Sequence, residues 1–212
     1  MFTGIIQEIG LVEKIENISG KRYITISCKT LQHDLKIGES IACNGICLTV
    51  IKFTNQNITI ETMAQTMATT TVKSWTIKTS IHLEKALSLS DRLNGHLVQG
   101  HIDTITYLKN YYRKNNTLYL VFTLPSTFIK QVVEHGSICI DGVSLTITKF
   151  SNIDFEVALI EHTLKTTHLG NLKIGNEVNI EFDIIGKYVA KQMGNDSVTE
   201  QNINLEWGKR YG

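Results

Sequence analysis

The chain has 212 residues, of which 42% are apolar and 19% charged, with 21 basic against 20 acidic side chains. A net charge of +1 and the absence of any basic run exclude an electrostatic case for nucleic acid or an anionic membrane as partner. No apolar run spans a bilayer, no leader pattern opens the chain, and Cys28, Cys43, Cys47 and Cys139 lack metal or disulfide spacing, so a reducing cytoplasm is expected.

Short alternating segments dominate the chain. Ile24, Ile26 and Cys28 fall on one face of a strand, and Ile77, Thr79, Ile81 and Leu83 line a face of another. Leu118, Leu120, Phe122 and Leu124 repeat the pattern, as do Val178, Ile180 and Phe182. Helical windows are short, over 66–72 and over 128–133, the second opened by Ser126. Regular short strands rich in β-branched residues predict small β-barrels or sandwiches. After Asp183 the pattern turns helical, with Ile185, Val189 and Met193 at four-residue spacing and Tyr188 beside them. Ser197 and Glu200 read as a capping box for a last short helix carrying Ile203. The apolar stripe wants a partner, which its own barrel or another subunit could supply.

The chain also repeats itself. Asn44-Gly45-Ile46-Cys47-Leu48-Thr49 returns 97 residues on as Asp141-Gly142-Val143-Ser144-Leu145-Thr146. Ser40 matches Ser137, Thr66 matches Thr163 and Glu84 matches Glu181 at that offset, while Gly4-Ile5-Ile6 matches Gly100-His101-Ile102 at 96. One offset held across so many blocks is a duplication, not chance similarity of two β segments. Asn or Asp before Gly suits a tight turn with φ > 0. The boundary is expected near Gly95-His96-Leu97, after a turn over 91–95.

Where the copies differ, reactive groups appear. Cys47 faces Ser144 in the alignment, Ile5 faces His101, and Ala86 faces Asp183. A free cysteine is usually a small buried hydrophobe, but exchange with serine favours a polar site. His96 reads as a hydrogen-bonded structural histidine. His101, replacing an apolar residue, suits a group that titrates near neutrality. Asp183 alone reads as a solvated strand-end carboxylate. Two similar pockets with different reactive groups would let two similar ligands take different roles.

These motifs, with Met1-Phe2-Thr3-Gly4-Ile5 and Gly95-His96-Leu97-Val98-Gln99-Gly100-His101, resemble the riboflavin synthase family in order and spacing through both halves, to about Asp183. The resemblance implies an all-β fold of two tandem six-stranded Greek-key barrels plus a C-terminal helix. The corresponding divisions are 1–96, 97–193 and 194–212. It implies a homotrimer whose active sites form between barrels of neighbouring subunits, with association with lumazine synthase as a further partner. It also implies a dismutation of two 6,7-dimethyl-8-ribityllumazine molecules, needing no metal or redox cofactor. The products are riboflavin and 5-amino-6-ribitylaminouracil.

By that resemblance His101, with Ser144 and Thr146 beside it, assists proton transfer. Cys47 lies near Asp183 as nucleophile or polar contact at the other substrate, with its partner across the site, Ser144 with His101, on another subunit. Phe2 packs on a flat ring. The implied substrate contacts in the first copy are Phe2, Gly4, Ile5 and Ile6, then Ser40, Asn44, Cys47, Leu48 and Thr49, and the run Glu61, Thr62, Met63, Ala64, Gln65 and Thr66. In the second they are Gly100, His101 and Ile102, then His135, Asp141, Ser144, Leu145 and Thr146. The run Ala158, Leu159, Ile160, Glu161, His162 and Thr163 completes them. His135 stands where the family usually has lysine, and Gln65 and His162 where it usually has Glu. Altered affinity or pH dependence is expected, not lost activity. A non-catalytic lumazine protein is the rival on this scaffold. A flavin reductase barrel is excluded for want of its phosphate-binding arginine motif and nicotinamide domain.

Overall fold

The alternating segments close into two separate six-stranded antiparallel barrels in the computed structural model, which describes residues 1–31 and 35–192. The first is built from β1 (Glu8–Ile18), β2 (Lys21–Ser27), β3 (Ser40–Cys43), β4 (Ile46–Phe53), β5 (Asn57–Thr62) and β6 (Ser80–Lys85). Its strands run around the wall in the order β1-β2-β5-β4-β3-β6. A one-and-a-half-turn helix, α1 (Ala64–Thr69), follows β5. The second barrel uses β7 (Thr104–Lys114), β8 (Thr117–Thr123), β9 (Ser137–Ile140), β10 (Val143–Phe150), β11 (Asp154–Leu159), α2 (Glu161–Thr166) and β12 (Glu177–Phe182). Its strands follow the same circular order. A third helix, α3, covers 184–192.

Closure removes sheet edges and leaves each barrel one apolar interior. Ile24, Ile26, Ile41, Val50, Ile58, Ile60, Ile81 and Leu83 fill the first. Leu120, Phe122, Ile138, Ile140, Phe155, Val157, Val178 and Ile180 fill the second. The duplication reaches fine detail: register shifts occur between Val12 and Lys14 and between Val50 and Lys52, and again between Leu108 and Asn110 and between Ile147 and Lys149. Such bulges sharpen the bend a small barrel needs.

The turns behave as the sequence implies. Asn44 and Gly45 have φ of 44° and 77°, and Asp141 and Gly142 have 45° and 83°, the primed geometry of two-residue hairpins. One strand is shorter than expected. β6 begins at Ser80, so Ile77 is exposed and Thr79 lies in the turn before it. Lys78 takes φ of 71° there, and Val72 and Trp75 occupy the core instead. The window over 66–72 splits into α1 and a 3-10 turn (Thr71–Ser74), and the window over 128–133 is a 3-10 turn (Ser126–Gln131). Ile185 and Val189 lie on α3, whereas Met193, Ser197, Glu200 and Ile203 lie outside the described residues.

The two barrels pack around a pseudo-twofold axis. Phe2 and Val98 form an isolated bridge, with Phe2 N donating to Val98 O at 2.7 Å and Val98 N to Phe2 O at 3.1 Å. Both side chains are fully buried in a small cluster with Ala42 and Cys139. The turns at Gly45 and Gly142 touch: a Cβ on Gly45 would lie 2.7 Å from Gly142 N.

Polar groups complete this seam in matched pairs. His82 Nε2 accepts from His168 N at 2.9 Å, so His82 Nδ1 carries the proton and donates to Asp141 O at 2.8 Å. At the equivalent positions Asn179 Oδ1 accepts from Thr71 N, and Asn179 Nδ2 donates to Asn44 O. A neutral histidine in one copy does the work of an asparagine amide in the other. His82 and His168 also stack, with ring centroids 3.7 Å apart.

Candidate functional site

Each reactive turn meets the leading segment of the opposite barrel. Cys47 N donates to Gly100 O at 2.9 Å, and Ser144 N donates to Gly4 O at 2.7 Å. A Cβ on Gly100 would sit 2.5 Å from Cys47 Cβ, and one on Gly4 would sit 2.6 Å from Ser144 Cβ. Only glycine allows this approach, and both take positive φ. Ile102 accordingly packs against the first core and Ile6 against the second.

A buried carboxylate holds each crossing segment. Glu84 accepts from Thr3 N and Thr3 Oγ1, both at 2.7 Å, and from Gly4 N at 3.0 Å. Glu181 accepts from Gln99 N at 2.6 Å, Gly100 N at 2.8 Å and His101 N at 3.0 Å. Burial pushes both carboxyl groups up and their amide donors push back.

The first half-site therefore gathers Cys47, Gly100, His101 and Ile102 at one barrel mouth. Ser40 pairs with Thr49 across β3 and β4, and Thr49 with Glu61 across β4 and β5. Cys47 is the half-exposed thiol, while burial drives the Cys43 and Cys139 thiols up and keeps them neutral. The second half-site gathers Ser144, Gly4, Ile5 and Ile6, with Thr146 pairing with Ser137 across β9 and β10. Beside it a cavity of about 420 Å³ is lined by Ser137, Asp183, Lys130, Val133, Ile185 and Val189 among others. A second cavity, of about 390 Å³, borders Thr3, Ile5, Glu84 and Arg92.

His96 belongs to this site, which the sequence alone missed. Its Nδ1 lies 2.7 Å from Ser144 Oγ, and its buried Nε2 has no hydrogen-bond partner. Burial pulls the imidazole down, and the nearby Asp183 carboxylate partly restores it. With the proton on Nε2, Nδ1 accepts from Ser144 and raises electron density on that oxygen. Its register position in the first copy falls before Met1, so comparing copies could not flag it. Asp183 also has a structural task, since its Oδ1 accepts from Ile185 N at 3.0 Å at the start of α3.

Other expected contacts fall differently. Within the chain Cys47 is tied to Gly100, the neighbour of His101, while Ser144 is tied to Gly4 and His96. The expected grouping sets His101 with Ser144 and Thr146 across from Cys47 of another subunit, whereas these are the bonds within one chain, where the leading segments cross over. Phe2 is wholly buried between the barrels, where its ring packs with Val98, Ala42 and Cys139. Asn44 and Asp141 are also buried, their Oδ1 atoms accepting from His82 N and Asn179 N. They border a different cleft, of about 440 Å³, with Trp75 and His168. That cleft is on the seam, and burial raises Asp141 to about 7 there.

Leu48, Leu145 and Leu159 point into the cores, and Thr62 Oγ1 donates to Arg22 O. Around the mouths Met63, Ala64, Gln65, Ile160 and His162 are exposed, with Thr66, Ala158 and Thr163 half-buried. Glu61 pairs with Lys21 at 2.7 Å and Glu161 with Lys165 at 2.6 Å. His135 is exposed with φ of 64°, at the position where the first copy has Gly38. Among the described residues no cluster of His, Cys, Asp or Glu suits a metal ion.

A family profile described as a lumazine binding domain matches residues 3–86 and again 99–183. The chain is 37% identical to the riboflavin synthase of Bacillus subtilis, over 96% of this chain and 95% of that one. It is 36% identical to the Actinobacillus pleuropneumoniae riboflavin synthase over the full length of both. Among solved structures it superposes on LumP complexed with 6,7-dimethyl-8-(1'-D-ribityl) lumazine with a TM-score of 0.76. The identity there is 25%, over 85% of this chain and 98% of that one.

Proposed function

The chain belongs to the riboflavin synthase family of lumazine-binding proteins, and from that premise we propose that it converts two 6,7-dimethyl-8-ribityllumazine molecules into riboflavin and 5-amino-6-ribitylaminouracil. One lumazine gives up a four-carbon unit and leaves as the aminouracil; the other receives that unit, which joins its own C6, C7 and methyl carbons to complete the third ring. The dismutation balances without an outside oxidant. The observation that carries it is a pair of half-sites with one framework and two chemistries, Cys47 with His101 in one and Ser144 with His96 in the other.

The substrate's C7 methyl group is acidic because its anion delocalises over the heterocycle, so a weak base and good positioning suffice. Ser144, polarised by His96, and Thr146 serve the lumazine at the second barrel, with Asp183 tuning His96. Cys47 and His101 serve the one at the first, as nucleophile or polar contact and as proton carrier. The pseudo-twofold relation of the barrels supplies antiparallel stacking of two flat ligands. A homotrimer brings a first half-site of one subunit against a second half-site of its neighbour. The exposed Ile185, Tyr188 and Val189 of α3 support that assembly. Association with lumazine synthase and a cytoplasmic location complete the proposal. Among the described residues no helix is long and apolar enough to cross a membrane.

Incubating the protein with the dimethyl-ribityl-lumazine tests the reading. One riboflavin should appear for every two lumazines consumed. Tight binding without turnover would replace it with a chromophore-carrying role.

A further inference from the structure

We propose that Lys187, on α3, is a positioning residue for the segment that carries His101, acting through Asp103 and the Glu181 carboxylate. Its catalytic consequence rests on the synthase reading above; the clamp itself rests on geometry alone.

Lys187 Nζ lies 2.5 Å from Asp103 Oδ2, and the two side chains are only 20% and 21% exposed. The same Asp103 oxygen accepts from Phe182 N at 2.8 Å, which fixes the end of β12. One residue earlier, Glu181 receives the amides of Gln99, Gly100 and His101. Gly100 in turn presents its carbonyl to Cys47 N. A single lysine on the C-terminal helix therefore sits at the head of a short, rigid path that ends at Cys47 and His101. Its charge also favours the ionised form of Glu181 against burial, and the ionised form is the one that accepts three amides.

The first copy shows that this is an addition to the repeat. There Gln7 Oε1 accepts from Lys85 N at 2.9 Å, in the place of Asp103 and Phe182. A neutral amide makes that bond with no cation required. The second copy uses a partly buried carboxylate, and removing its cation leaves that charge with the Phe182 amide but no counter-ion. Asp103 and Lys187 thus make the docking of α3 a condition for the placement of His101.

The experiment compares wild type, Lys187→Met and Lys187→Arg. Hydrogen exchange at the amides of Gln99, Gly100 and His101 should rise about tenfold in Lys187→Met and return towards wild type in Lys187→Arg. The amides of Thr3 and Gly4, held by Glu84, should not change and serve as the internal control. Turnover should follow, with kcat down about tenfold in Lys187→Met, KM changed by less than about twofold, and recovery in Lys187→Arg. Unchanged exchange at residues 99–101 overturns the clamp, as does an equal rise at Thr3 and Gly4. Faster exchange with unaltered kcat in an active enzyme overturns the positioning role. Absence of lumazine turnover by wild type would sink the synthase reading instead, and the exchange comparison would still decide the clamp.

Discussion

Replacing His82 with asparagine should make the fold less sensitive to acid. His82 is 1% exposed, and its ring bonds require the neutral form: Nε2 accepts from His168 N while Nδ1 donates to Asp141 O. Burial, with the neighbouring His168, holds it near a pKa of about 3 against 6.5 for a free histidine. The unfolded chain therefore takes up a proton that the folded chain refuses. Stability from this group is full above pH 6.5 and is lost as pH falls towards 3. Between pH 7.5 and 5.0 the loss comes to about 2 kcal/mol from His82 alone. Asp141, raised to about 7, works in the opposite direction, but it is present in both proteins and cancels in the comparison. Asn179 already makes the equivalent bonds, so His82→Asn keeps the seam's donors and acceptors while giving up the stack on His168. Urea unfolding at the two pH values measures the effect. The variant should lose about 2 kcal/mol less than wild type over that interval. Equal losses would mean that His82 does not hold its neutral form in the seam, and the tautomer assignment would fall with it.

Further outcomes follow from the geometry. Ser144→Ala removes the hydroxyl that faces His96 and should lower kcat about tenfold to a hundredfold while lumazine affinity, read by fluorescence titration, stays within a few-fold. Gly45→Ala meets both a positive φ and Gly142 N at 2.7 Å, so it should cost about 3 kcal/mol in urea unfolding. Gly20→Ala has the same φ of 77° with nothing within 4 Å and should cost only about 1 kcal/mol. His135→Gly and Lys78→Gly place glycine where the other copy already has Gly38 and Gly175, and each should stabilise by about 0.5–1 kcal/mol, visible as a raised thermal midpoint.

The barrels were legible because closure demands alternation, and alternation survives in both copies of the chain. The Asn-Gly and Asp-Gly turns were legible because few other residues tolerate that backbone. The start of β6 was not, since Ile77 fits the alternating pattern and only the turn at Lys78 removes it from the strand. The membership of each half-site was hidden for a different reason. Aligning copies reveals which residues are equivalent, whereas Gly4 against Ser144 and Gly100 against Cys47 are contacts between non-equivalent residues. Such contacts depend on how the barrels dock. His96 was read as structural because a hydrogen-bonded histidine looks the same in sequence whether its partner is inert or reactive. Phe2 belongs to the family's motif, and that its ring closes inside the seam depends on the docking of the barrels, which alternation does not encode.

The unlike turns at that seam also bear on how the chain chooses its own halves. Asn44 and Asp141 sit in the two turns that touch, one amide and one carboxylate. A pairing of two second barrels, from different chains, would bring two Asp141 carboxylates together in a buried contact. A pairing of first with second avoids that repulsion. One side chain thus biases the seam towards pairing unlike barrels and against pairing two second barrels.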